Sequence, residues 1–119
     1  MRKITTDVKF DTKNEALKTL YDLAEAHARR NIVDFLGTSV LIEGSALYRN
    51  VWLETQPMGG DMYSKRNMEV ALNNQLIFMD HQREDGRLPG MVSVSAEGEL
   101  VCHYDWFQGY CFPSYALHM

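Results

Sequence analysis

At 119 residues, 45% hydrophobic and 24% charged, the chain has the make-up of one soluble globular domain and is too short for two. Its net charge of −4, with acids and bases interspersed, offers no basic field to concentrate nucleic acid or an anionic membrane surface. No apolar core follows the basic residues Arg2 and Lys3, and no run approaches bilayer length, so the expected setting is the cytoplasm. Cys102 and Cys111 form neither a disulfide framework nor a CxxC pair, and the four histidines share no ligand spacing, so neither metal nor cofactor is expected.

Residues 1–11 read as an extended lead-in, with Ile4, Val8 and Phe10 in loose alternation. Thr12, followed three residues later by Glu15, has capping-box form and opens a helix over 12–30. Ala16, Leu17, Leu20, Leu23, Ala24 and Ala28 supply one apolar stripe, predicted to be buried. From 32 to 53 the pattern changes, as Gly37 and Gly44 punctuate short apolar runs at 39–42 and 47–52 that favour extended or irregular chain. Gln56-Pro57-Met58-Gly59-Gly60 reads as a turn, with Asp61 placed to cap a helix over 62–82. Met62, Met68, Leu72, Leu76 and Met79 share one side of that helix, yet Val70, Ala71, Ile77 and Phe78 lie elsewhere on it. A helix apolar over so much of its girth requires neighbours on at least two sides. Residues 84–90 break the chain, and 91–95 with 99–103 alternate as the strands of a hairpin. Pro113 suits the first turn of a closing helix.

Three segments, LETQPMGGDMYSKRN, NNQLIFMDHQREDGRLPG and YDWFQGYCFP, occur in an order that resembles the N-terminal part of bacterial glycoside-hydrolase-like proteins. These belong to the six-hairpin, or (α/α)6-toroid, class. The resemblance covers residues 31–119, behind the lead-in helix at 12–30. It implies a mainly α fold with a short β-hairpin, a partial toroid lacking most of its ring, as a single segment over 1–119. It also implies a sugar pocket at one end of the ring, where aromatic faces stack and polar groups hydrogen-bond hydroxyls.

On that resemblance Arg66 and Asn67 are candidate sugar-gripping residues, the first by its planar fork of donors and the second as both donor and acceptor. Asp105, Trp106 and Gln108 complete the candidate substrate contacts, with Trp106 as stacking platform. Asp61 and Asp105 are the candidate catalytic carboxylates. Glu54 could join Asp61 as an acid/base pair, although capping and turn formation explain those two more simply. Asp85-Gly86 reads first as a turn. The expected function is therefore that of a fragment of a carbohydrate-active, glycosidase-like protein, inactive by itself. The alternative is a non-catalytic carbohydrate-binding or self-assembling helical module. Expected partners are carbohydrate, and either a second copy or a chain supplying the missing helices; nucleic acid and membrane are not expected.

Overall fold

The computed structural model describes residues 8–44, 47 and 49–104, with residues 57, 58 and 61 described by their backbone alone. Three helices, α1 (Glu15–Arg30), α2 (Gln56–Tyr63) and α3 (Met68–Met79), accompany five strands. Strands β1 (Ile32–Phe35) and β2 (Thr38–Leu41) form one antiparallel hairpin. Strands β3 (Val51–Trp52), β4 (Met91–Val94) and β5 (Leu100–His103) form a second antiparallel sheet in the order β3-β4-β5.

This α+β arrangement corrects the expected mainly α, partial-toroid fold. The physical reason lies in residues 32–53, whose β-branched and aromatic runs pair across strands and seat themselves against α3. Val33 faces Val40 and Phe35 faces Thr38 across the first hairpin. Val92 lies between Val51 and Cys102 in the second sheet. The inner faces of both sheets and of α3 enclose one core, including Phe35, Val40, Leu53, Phe78, Leu88 and Val92. Leu41 points the other way from Val40 and joins Tyr63 and Val70 in a second cluster beside Ala28 and Ile32. The hairpin is thus anchored on both faces, which fixes its register, because a slip by one residue would exchange them.

The predicted helix over 62–82 is two helices. Asn67 interrupts it, with extended backbone (φ −155°) and a side-chain Oδ1 that accepts from Val70 N at 3.3 Å, capping α3. Asp61 lies inside α2 and does not cap the next helix. The predicted Gln-Pro-Met-Gly-Gly turn is helical, and its glycines act through packing. A Cβ on Gly60 would stand 3.0 Å from both the Ala71 carbonyl oxygen and Asn74 Cβ, so the bare α-carbon lets α2 and α3 approach closely.

Asn74 ties these parts together. It is fully buried; its Oδ1 accepts from Leu41 N at 2.9 Å, and its Nδ2 donates to Leu41 O and Gln56 O, both at 3.0 Å. One amide thereby satisfies the end of β2 and the start of α2, whose groups would otherwise be stranded away from water. Gln56, also buried, returns the service by accepting from Trp52 N.

Helix α1 is less deeply held. Its cap is Asn14, whose Oδ1 accepts from Leu17 N at 3.1 Å, rather than Thr12, whose hydroxyl instead receives Asn14 N. None of its residues is buried, which corrects the predicted buried stripe. Tyr21, Glu25 and Ala28 are its half-buried positions; Leu17 at the edge of that face, and Leu20 and Leu23 further round the helix, are exposed.

Candidate functional site

A cavity of about 430 Å³ opens where the β1–β2 hairpin, the chain entering β3 and the end of β4 converge. Val33, Phe35, Leu36 and Val94 supply its apolar wall, and Asp34, Arg49 and Asn50 its polar groups. The hairpin tip shapes one side. Phe35 and Thr38 are joined by the two-residue loop Leu36-Gly37, both with positive φ (55° and 87°), a type I′ geometry that matches strand twist. Asp34 Oδ1 accepts from Gly37 N at 2.7 Å and holds the loop. Leucine is an unusual occupant of the first position. Its branched side chain costs about 1 kcal/mol in left-handed backbone, where asparagine or glycine is the ordinary choice. Here it lines the cavity.

Among the described residues, neither the Asp34 carboxylate nor the Arg49 guanidinium has an ion-pair partner. Asn50 Nδ2 reaches Met91 Sδ at 3.3 Å. A smaller cavity of about 250 Å³ lies between α2 and the end of α1, lined chiefly by apolar groups including Ala28, Leu41 and Met62.

Two helix faces are also open. On α3, Val70, Ala71, Asn74, Ile77 and Phe78 are buried. The opposite side carries Met68, Leu72, Leu76 and Met79, all exposed, with Leu72 at 52%. Asn73 and Gln75 lie along the seams between these faces, and Glu69 is the helix's only charged residue. On α1 the exposed leucines reach 63% at Leu20.

The residues expected to grip a sugar are placed as follows. Arg66 joins Glu25 on α1, with Nη2 at 2.6 Å and Nε at 2.7 Å from the same Oε1, and Nη1 donates to Met62 O at 3.1 Å. That hydrogen bond holds the Glu25 carboxyl below its ordinary range, against the opposing effect of burial. The two side chains are 20% and 18% exposed, so the pair is a clasp between α1 and the α2–α3 junction rather than a loose surface contact. Asn67 is the α3 cap. Asp105, Trp106 and Gln108 lie outside the described residues, as does Pro113 with its expected closing helix. The backbone of Asp61 falls in α2, and Glu54 is exposed in the turn before it. Asp85 makes the expected turn: Oδ1 accepts from Arg87 N at 3.2 Å and Oδ2 pairs with Arg83 at 2.6 Å. Among the described residues, Arg66, Asn67, Glu54 and Asp85 do not line the larger cavity.

Sequence reasoning also passed over a serine–histidine contact. Ser93 Oγ and His103 Nε2 are 2.8 Å apart on neighbouring strands, a separation across which a proton can move. Their odd-numbered positions share one face of the sheet, and strand parity was the available signal. Neither residue lines either of the two cavities described above. Among the described residues no cluster of histidine, cysteine, aspartate and glutamate could hold a metal ion, and no helix is long and apolar enough to cross a membrane.

Comparison with protein-family models, curated proteins and solved structures returned no match. Together with two antiparallel sheets in place of helical hairpins, this overturns the resemblance to six-hairpin glycosidases.

Proposed function

We propose that this chain is an assembly module that pairs with a second copy of itself through the outer face of α3. One observation carries the proposal: α3 has an apolar row on the side opposite its buried face, with nothing but amides and one carboxylate between them. A helix in water normally presents polar groups on that side, and an apolar row there is the sign of a covered surface.

The row suits its own copy. In antiparallel pairing Met68 meets the partner's end of the row near Met79, and Leu72 meets the position of Leu76, so one twofold axis satisfies all four. Lys65 and Glu69 flank one end, Asp80 and Arg83 the other, so mixed-sign ends meet. Together with exposed Met62, such a row buries on the order of 1,000 Å², the low end for specific association, and supports a dissociation constant on the order of 10 μM. The free, half-buried thiol of Cys102 fits a reducing compartment, and the cytoplasm belongs to the same proposal.

Sedimentation velocity over a concentration series tests this. A monomer–dimer equilibrium is expected for the parent chain. The double variant Leu72→Glu/Leu76→Glu should remain monomeric with unchanged circular dichroism, since both side chains are exposed. A parent chain that stays monomeric to about 1 mM, or a variant that associates as the parent does, refutes the proposal.

A further inference from the structure

We infer that the cavity beside the β1–β2 hairpin is a binding site for a small zwitterion with an aliphatic body, of the class of a free α-amino acid the size of leucine. This is independent of the assembly face, since no residue of α3 lines the cavity.

Three observations converge. First, the cavity's about 430 Å³ falls within the range of small-ligand sites and far exceeds a single water. Second, its polar groups form a set of opposite charges that do not neutralise each other. Asp34 and Arg49 both line it, yet no ion pair joins them and neither has another among the described residues. A ligand carboxylate alone would meet Arg49 favourably and Asp34 unfavourably; an ammonium alone would meet the reverse. A molecule carrying both, a few ångströms apart, satisfies each against its complement. Asp34 has the capacity for this, because only Oδ1 is committed, to Gly37 N, while Asn50 offers an amide beside them.

Third, the rest of the lining is apolar, formed by Val33, Phe35, Leu36 and Val94. Leu36 keeps a branched side chain at this wall despite positive φ and half exposure (51%). Asparagine or glycine would form the same turn without strain and would leave that side of the cavity bare. Strain retained where it shapes a cavity points to what the cavity holds. An aliphatic side chain on the zwitterion would cover these groups. Because the polar rim is open to water, the charge contacts are individually weak, and the expected dissociation constant is on the order of 1 mM.

Backbone-amide NMR titration of the full chain decides the matter, using four probes: L-leucine, 4-methylpentanoate (no ammonium), L-leucinamide (no carboxylate) and glycine (no side chain). L-leucine should give saturable shifts confined to residues 33–37, Arg49, Asn50 and Val94. Each of the other three should bind about tenfold more weakly or not at all. Arg49→Gln should abolish the preference for leucine over leucinamide. Asp34→Asn, which keeps an Oδ1 acceptor for Gly37 N, should abolish the preference for leucine over 4-methylpentanoate. Absence of saturable shifts in the cavity overturns the inference. Equal binding of 4-methylpentanoate, leucinamide or glycine overturns it equally, since then one charge or the aliphatic body has no counterpart in the site.

Discussion

Helices α1 and α3 invert the usual relation between pattern and burial. Helix α1 carries a clean apolar stripe beside a charged face, and none of its residues is buried. Helix α3 carries no single stripe, and it buries five residues, one of them an asparagine. The difference is what each helix is attached to. Asn74 binds α3 to β2 and α2 by three hydrogen bonds at full burial, and Ile77 and Phe78 enter the main core. Helix α1 is held through Ala28 and the Glu25–Arg66 pair, while Leu17, Leu20 and Leu23 stay exposed. Periodicity therefore identifies a surface that suits burial; only a partner buries it.

The sharpest way to break this contrast is at Asn74. Asn74→Asp keeps the acceptor for Leu41 N but turns the second position from donor to acceptor against two carbonyl oxygens, with a charge in a fully buried site. Chemical denaturation at neutral pH should show a loss of about 4 kcal/mol or outright failure to fold. The carboxyl's folded-state pKa must rise there, so the deficit should shrink as pH falls and the acid regains a proton to donate. An undiminished midpoint would remove Asn74 from the centre of the fold.

Gly60 comes next. Alanine is the better helix former by about 1 kcal/mol. A Cβ at 3.0 Å from the Ala71 carbonyl oxygen and Asn74 Cβ nevertheless forces α2 and α3 apart. Gly60→Ala should therefore destabilise by about 2 kcal/mol net in the same denaturation experiment. A stabilised variant would mean that the two helices are not closely packed at this point.

Glu25→Gln tests the clasp that holds α1, and should cost about 1 kcal/mol at neutral pH. Because Arg66 lowers the folded-state pKa of Glu25, the stabilisation is complete above the ordinary carboxylate range and is lost as pH falls through the lowered value. Parent and variant stability curves should accordingly converge on acidification, here because the parent loses stability, whereas at Asn74→Asp the gap closes because the variant regains it. Parallel curves from pH 7 to pH 3 would assign the effect to packing. The smallest change is expected on α1's outer face, where Leu20→Ser should alter monomer stability by less than about 0.5 kcal/mol, as measured by thermal unfolding at high dilution. A larger loss would show that the leucines are covered within the monomer.

Part of this architecture was legible beforehand. Alternation around Ala96-Glu97-Gly98 located the β4–β5 hairpin, and polar-apolar periodicity located α1 to within a few residues. The broad apolar girth of residues 62–82 called for neighbours on two sides; the structure buries one side of α3 and leaves the row of Met68, Leu72, Leu76 and Met79 exposed. Three features misled. Pro57, Gly59 and Gly60 have turn chemistry, but close packing on Leu41 and Asn74 makes helix the better outcome there. Leu36-Gly37 does not announce a hairpin as Asn-Gly would, so β1–β2 was read only as irregular or extended chain. The third was the borrowed toroid, which relied on short motifs without the packing that gives them meaning. The candidate cavity was the least accessible of all. Its groups come from residues 33–36, 49–50 and 94, and nothing in local spacing brings those together.

What the sequence settled unaided was part of the local inventory: that a helix fills most of residues 12–30, and that residues 91–95 and 99–103 alternate as a hairpin. Those are properties of short windows, governed by capping, backbone preference and side-chain period. What the tertiary structure alone decided was which apolar faces are covered. It also set the role of Asn74, the clasp between Glu25 and Arg66, and the meeting of Asp34 with Arg49 at one cavity. Each depends on groups far apart in the chain, whose encounter is set by the packing of whole elements rather than by the residues beside them.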